Sequence, residues 1–292
     1  MTVLEFLSDY TFRTILLGSV VLGSVSGVLG CMAVLRRQGL VGDALAHAAL
    51  PGVASAFLLT GTRAHGTLMM GAAISGAVGL LIGHFVVRMT KTDVGTMLGV
   101  ILTSLFGLGV VLLTVIQKSA DGSQAGIDKF LFGQAAAMVS EQVWLMAILG
   151  GVAVGILFLF LKEIKVATFD PTFAESLGIP TGRLSLLVTG LILVAIVIGL
   201  NCVGVILMSA MLVAPAAAAR QWTDRLPSMI AVSAGFGVLA GAAGVVASVL
   251  DSGLPTGPMI VIFLSLIVAV SLLFGSAGGI VTRHIRQRRL AA

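Results

Sequence analysis

An acidic residue and a histidine lie four positions apart in the segment from Gly39 to Thr60, which otherwise consists almost wholly of apolar and small residues. They are Asp43 and His47, and on a helix this spacing projects both side chains from one face. A charge at membrane depth costs about 2.5 to 3.5 kcal/mol on insertion scales, so such residues normally face a cavity, a partner or an ion. Pro51 also releases the backbone carbonyl of His47. Together these groups predict half of a divalent-metal site, and the alternative is a histidine that only packs within the bundle.

The composition of the chain is that of a membrane protein. Of its 292 residues 58% are hydrophobic, only 10% are charged and 37 are glycine, and the mean hydropathy is +1.14. A soluble core of this size could not enclose so much apolar surface, so we predict an all-α polytopic membrane protein. The net charge of +5 implies no nucleic-acid partner, because the basic residues fall in short loops. Cys31 and Cys202 lie in apolar runs without a CxxC motif, which indicates neither a disulfide framework nor a zinc cluster.

Apolar runs of about 20 residues predict the transmembrane helices. They lie near 14–35, 40–60, 66–87, 93–116, 140–161, 184–200, 203–219, 228–250 and 258–281. A half-span among them would leave eight, so we expect eight or nine. With nine spans and the N-terminus outside, most of the 17 basic residues face the cytoplasm, as the positive-inside rule requires. We therefore predict one transmembrane domain over residues 1–292, with a cytoplasmic loop at about 162–183 and a basic cytoplasmic tail at 282–292. A further short helix, dipping into or lying on the membrane, is predicted at 127–138.

The loop segment FDPTFAESLGIPT carries the signals of a short helix. Asp170 can cap its start, Pro171 suits its first position, and Gly178 can end it. Such a helix is too short to be stable alone in water, so it needs a surface to pack against.

One face of this loop helix is apolar. Phe169, Phe173 and Leu177 recur every four residues, whereas Glu175 lies off that stripe. The pattern favours a helix that docks on a soluble partner, and the alternative is a helix that lies on the lipid surface.

Five residues in other apolar runs are weaker candidates to line a pathway. They are Met211, Pro215, Asn201, Asp251 and His84. His84 is expected near the inner interface, and Asp251 most simply caps a turn. Pro215 releases the carbonyl of Met211, and the small residues around it predict close packing of this span against the second one.

Several catalytic motifs are absent from the sequence. It contains no G-x-x-x-x-G-K-[ST], no H-E-x-x-H and no G-x-S-x-G. The chain therefore binds no nucleotide through a P-loop, and nothing supports an intramembrane enzyme. A secondary metal/proton transporter, with Asp43 and His47 as a shared site, and a membrane scaffold without transport activity remain open on the residues alone.

Three segments resemble the ABC-3 family of permease subunits of bacterial ABC importers for manganese, zinc or iron. They are GLVGDALAHAALPGVASAFLLTG, ATFDPTFAESLGIPTGR and AMLVAPAAAAR. The resemblance runs over nearly the whole chain, and its most specific part is D-A-L-x-H-A-x-L-P-G.

The resemblance implies a transport subunit that is not itself an enzyme and holds no permanently bound cofactor. The expected cargo is Mn²⁺, Zn²⁺ or Fe²⁺. The expected partners are a cytoplasmic ATP-binding subunit, a second permease subunit (identical or paralogous), an extracytoplasmic metal-binding protein and the lipid of a bacterial inner membrane. The alternative function is a secondary metal/proton transporter that needs no ATPase.

The resemblance also assigns roles to residues. It implies that Asp43 and His47 line the pathway and contact metal, and that Asp170–Leu177 is the coupling helix that seats in a groove of the ATPase. A pathway site is expected deep in the membrane, whereas Asp43 falls only a turn or two inside the cytoplasmic end of the second span. Either that span begins several residues away from the predicted boundary, or the topology around the first span differs.

Overall fold

The computed structural model describes residues 9–62, 64–118, 133, 138–250, 254–282 and 284, and all regular structure in them is helical. The helices in chain order are α1 (Tyr10–Leu35), α2 (Val41–Thr60), α3 (His65–Met89), α4 (Val94–Lys118), α5 (Ser140–Leu159), α6 (Leu161–Phe169), α7 (Pro171–Ser176), α8 (Thr181–Val203), α9 (Val205–Arg220), α10 (Leu226–Leu250) and α11 (Thr256–Phe274). The predicted all-α class is confirmed.

Eight of the described helices are long and apolar enough to cross a membrane, and α9 is the shorter apolar helix beside them. Its 16 residues extend about 24 Å, less than the hydrocarbon thickness of about 30 Å. Only Gly204 separates α9 from α8, and its φ of +85° is a backbone conformation that favours glycine. The sixth and seventh predicted spans are therefore joined by a single residue.

Contacts at the helix ends show the direction in which α9 runs. The amides of Ala277 and Gly278, which follow α11, donate to the carbonyl of Gln221, which follows α9. Near the end of α1, Cys31 Sγ lies 3.7 Å from the carbonyl oxygen of Met229, near the start of α10. The ends of α1, α9 and α11 thus share one face of the bundle with the start of α10. In the described residues, α1 therefore begins on the face of the bundle opposite to the one where α11 ends.

Helices α1 and α10 approach closely through small residues. A Cβ on Gly23 or on Gly237 would collide with the backbone carbonyl of the other glycine. One turn away, the hydroxyl of Ser233 donates to the carbonyl of Gly27 at 2.7 Å. Lipid provides no hydrophobic force that joins helices, so close packing of this kind holds the bundle together.

Helix α2 is enclosed by α3, α4 and α9. Gly52 and Gly71 bring α2 against α3, since a Cβ on either glycine would collide with the carbonyl of the other. On the α9 side, a Cβ at Gly42 would lie 3.4 Å from Ser209 Cα. The predicted packing of α9 against the second span is confirmed.

Several helix ends differ by a few residues from the predicted boundaries, and two larger differences have a structural cause. The last span ends at Phe274 and not near residue 281, because the Gly275 segment turns back to bond Gln221. The predicted loop at 162–183 contains the helix α6 as well as α7, because the helix is interrupted at Phe160 and a new helix begins at Leu161. The helix predicted at 127–138 lies outside the described residues except for 133 and 138, and the tail at 282–292 does so except for 282 and 284.

Candidate metal site

The first two turns of α2 bring the acid and the histidine together. His47 Nε2 lies 3.4 Å from Asp43 Oδ1, and the two side chains are 17% and 36% exposed respectively. This separation is longer than the usual 2.7 to 3.2 Å of an N–H···O hydrogen bond. Two tetrahedral ligands at about 2.1 Å from one Zn²⁺ ion lie about 3.4 Å apart. The two atoms therefore have the spacing of ligands that share a metal.

An aromatic ring from the neighbouring helix holds the imidazole in place. Phe106 of α4 meets His47 edge to face, with ring centroids 4.7 Å apart and an interplanar angle of 74°. The Nδ1 atom of His47 is buried and has no hydrogen-bond partner in the described part of the chain. The sequence does not single out Phe106, because no motif marks a phenylalanine in an apolar helix as a neighbour of the site.

As a metal site, the pair would be incomplete within the described residues of one chain. In the described ranges, no group of three or more His, Cys, Asp and Glu side chains is placed to hold a metal ion. The pair would thus supply two ligands, and water, backbone oxygens or another subunit would supply the others. A sparse set of oxygen and nitrogen ligands suits reversible binding of a hard or borderline divalent ion.

The depth of the pair follows from the start of α2. The helix begins at Val41, one residue from the predicted boundary, so a boundary shifted by several residues is excluded. Asp43 therefore lies about 3 Å and His47 about 9 Å along the helix axis from its first residue. The positive end of the helix dipole favours a carboxylate in this first turn.

The α6–α7 segment has the capping predicted for it. Asp170 Oδ1 accepts a hydrogen bond of 2.9 Å from the amide of Phe173, and Pro171 is the first residue of α7. Gly178 follows with φ of +75°. Local sequence thus sets both ends of this short helix, as expected.

The apolar side chains of this segment face outward. Phe169, Phe173 and Leu177 are 60%, 52% and 58% exposed. Ala174 is buried, and the carboxylate of Glu175 accepts a hydrogen bond of 2.9 Å from Thr181 Oγ1. The segment packs through Ile164 and Ala174 and leaves these three large apolar residues uncovered within this chain.

The weaker pathway candidates are dispersed. Met211 is fully buried and Pro215 lies inside α9, the helix that packs on α2. His84 is not part of the acid–histidine pair and lines a cavity elsewhere in the bundle. Asn201 is described only in its backbone, within α8, and Asp251 lies outside the described residues.

Sequence comparison relates the chain to metal transport proteins. The model of the ABC 3 transport family matches residues 8–275. The zinc transport system membrane protein TroC of Treponema pallidum is 45% identical over 289 residues, which cover 99% of this chain and 97% of that protein. The manganese transport system membrane protein MntC of Bacillus subtilis is 43% identical over 276 residues, which cover 94% of this chain and 63% of that protein.

Structural comparison agrees with the sequence matches. The solved structure of PsaBC from Streptococcus pneumoniae in complex with Fab superimposes with a TM-score of 0.82 at 26% sequence identity. The match covers 98% of this chain and 100% of that chain.

Proposed function

The chain belongs to the ABC 3 transport family, and on this premise we propose that it is the membrane-spanning permease subunit of an ATP-driven importer of zinc or manganese ions. The main observation behind the choice of residues is the 3.4 Å separation of His47 Nε2 and Asp43 Oδ1 on α2. The relatives named above transport zinc or manganese. Neither name includes iron, so we do not extend the proposal to it.

We place the ion between the Asp43 carboxylate and the His47 imidazole as it passes through the bundle. The described residues hold no group of three or more His, Cys, Asp and Glu side chains placed for a metal ion, so we propose that a second permease subunit and water complete the coordination. Phe106 restricts the rotation of the imidazole, which keeps Nε2 directed at the carboxylate. Few ligands and partial exposure allow the ion to be released, as a transport site requires.

We propose that the energy reaches this site through α7. The exposed Phe169, Phe173 and Leu177 form the surface that seats on a cytoplasmic ATP-binding subunit, and an extracytoplasmic binding protein delivers the ion to the opposite face. In this arrangement the chain lies in the bacterial inner membrane, and the end of α11, beside Gln221, faces the cytoplasm. The family match favours this assignment over a secondary metal/proton transporter.

The test is uptake of radioactive zinc and manganese by cells that produce this chain with its ATPase and binding protein. We expect Asp43→Asn and His47→Gln each to lower the uptake of one metal about tenfold or more, because even the groups that support metal ligands change affinity about 10- to 100-fold. Membrane expression is matched between variants. Uptake by this chain alone, without an ATPase, would support the secondary transporter instead.

The chain offers a matched control for the acid. Asp224 also lies four residues from a basic partner, with its Oδ1 3.3 Å from Arg220 Nη1, but its side chain is 78% exposed. Asp224→Asn should leave uptake within about twofold, since exposed ion pairs of this kind contribute little. If the Asp43 and His47 variants took up as much metal as the Asp224 variant and the original chain, the metal site would be rejected. The family assignment would be unaffected.

A further inference from the structure

A cavity of about 720 Å³ opens where α2, α3, α4 and α8 meet the α6–α7 segment. The side chains of Arg36, Arg88 and Arg183 line it, together with the imidazole of His84. The carboxylate of Glu175 also lines it, but that carboxylate accepts the hydrogen bond from Thr181. The charged side chains of the wall are thus three guanidinium groups and one carboxylate.

These arginines form no ion pair within the described ranges of the chain. No carboxylate there lies within 4.0 Å of a guanidinium nitrogen of Arg36, Arg88 or Arg183. Arg36 is half-buried, and its Nη1 lies 3.5 Å from the carbonyl oxygen of Ser185. Burial lowers the pKa of the Arg36 guanidinium, because desolvation opposes its charge. An anion would offset that cost.

The deeper part of the cavity is apolar. Leu80 and Ile101 line it; Leu80 lies about 13 Å along the axis from the end of α3, and Ile101 about 10 Å from the start of α4. Val87, Met97 and Leu98 extend this apolar lining. A charged mouth above an apolar floor of this depth matches a phosphate headgroup with hydrocarbon attached, and a small soluble anion would leave the floor uncovered.

The cavity is separate from the metal pair. Val41 and Leu45 of α2 line it, and at about 100° per residue they lie on the face of that helix opposite Asp43 and His47. Positive side chains also repel a divalent cation. Metal in transit therefore has no reason to enter this space.

A second polar group points to the headgroup of the ligand. Gln38 lines the cavity, and its Oε1 atom is buried without a hydrogen-bond partner in the part of the chain that the structure describes. A buried acceptor without a donor costs free energy, and a hydroxyl on the bound headgroup would satisfy it.

We propose that this cavity binds an anionic phospholipid, with the phosphate on Arg36, Arg88 and Arg183 and an acyl chain along α3 and α4. Basic pockets between transmembrane helices take lipid phosphates in this way. The outward side chains of α3 at Ile82 and Phe85 are 49% and 63% exposed, as on a helix that borders lipid, so the ligand reaches the cavity from the bilayer. Phosphatidylglycerol supplies both the phosphate and the hydroxyl that Gln38 needs.

The experiment titrates the delipidated full-length chain in detergent with phosphatidylglycerol and with phosphatidylcholine, and counts bound lipid by native mass spectrometry. We expect saturable binding of phosphatidylglycerol to the original chain. In the double variant Arg88→Gln/Arg183→Gln the affinity should fall about 25-fold, which is about fivefold for each arginine removed. Both residues are exposed, so the variant should fold. Its melting temperature without lipid checks that it does.

Arg37→Gln is the matched control. Arg37 is an exposed arginine beside Arg36 whose side chain does not line the cavity, and its loss should change binding less than twofold. Equal binding of phosphatidylcholine, or full binding by the double variant, would overturn the proposal. Competition by inorganic phosphate alone at equal concentration would show that the cavity takes a soluble anion, and would overturn the lipid as well.

Discussion

Two regions of the molecule are packed in opposite ways. Helices α1 and α10 touch through Gly23 and Gly237 with no room for a side chain, whereas the α6–α7 segment leaves Phe169 and Phe173 more than half exposed. In lipid, small residues join helices and large ones face the hydrocarbon. Phe169 and Phe173 are large, but they lie on a segment that connects two spans, so they neither join spanning helices nor belong to a spanning helix that faces hydrocarbon. The contrast separates residues that build the bundle from large apolar residues that this chain leaves uncovered.

The largest expected effect comes from the glycine contact. Gly237→Val should abolish the folded permease, because overpacking costs about 1 to 3 kcal/mol where side chains can shift and here two backbones must separate. The measurement is the yield of monodisperse protein from membranes. Gly235→Val on the same helix is the control, since a Cβ there meets nothing within 4 Å. Equal losses for both variants would show that valine in α10, and not the contact, is the cause.

The next effect concerns the exposed segment. Phe173→Asp should leave the yield of folded permease unchanged but lower both co-purification of the ATPase subunit and metal uptake about tenfold, because a charge replaces an apolar contact at the centre of the proposed interface. Thr172→Asp introduces the same charge at an exposed residue of α7 off the apolar stripe. If the two variants behaved alike, added charge alone would explain the result and the docking surface would be rejected.

The smallest effect concerns the helix cap of the same segment. Asp170→Ala removes the acceptor for the Phe173 amide and should destabilise α7 by about 1 kcal/mol. We expect amide exchange at Phe173 to rise about fivefold while the bundle is unaffected. Asp170→Asn keeps an oxygen acceptor and should behave like the original chain. Unchanged exchange in the alanine variant would mean that packing of Ala174, and not the cap, holds this helix.

The sequence predicted the features that depend on local rules or on the bilayer. Span positions followed from apolar length, because a chain in lipid must satisfy its backbone bonds within helices. The ends of α7 followed from Asp170, Pro171 and Gly178, each of which acts on its own backbone. Asp43 and His47 are four residues apart, so any helix that contains them places both side chains on one face, whatever the tertiary structure.

What the sequence missed depends on contacts between distant segments. Phe106 meets His47 only because α4 packs on α2, and the end of α11 is set by bonds to Gln221. The arginine-lined cavity joins residues from six helices and the loops between them. Packing of this kind has no periodic signal in the chain.

The contact between α1 and α10 also has a consequence for synthesis. Ser233 and Gly27 are 206 residues apart along the chain. At about 5 to 20 residues per second, the ribosome needs about 10 to 40 s after making this part of α1 to make the part of α10 that packs on it. During that interval the glycine-lined face of α1 remains in the membrane without α10, so α1 is made long before its packing is complete.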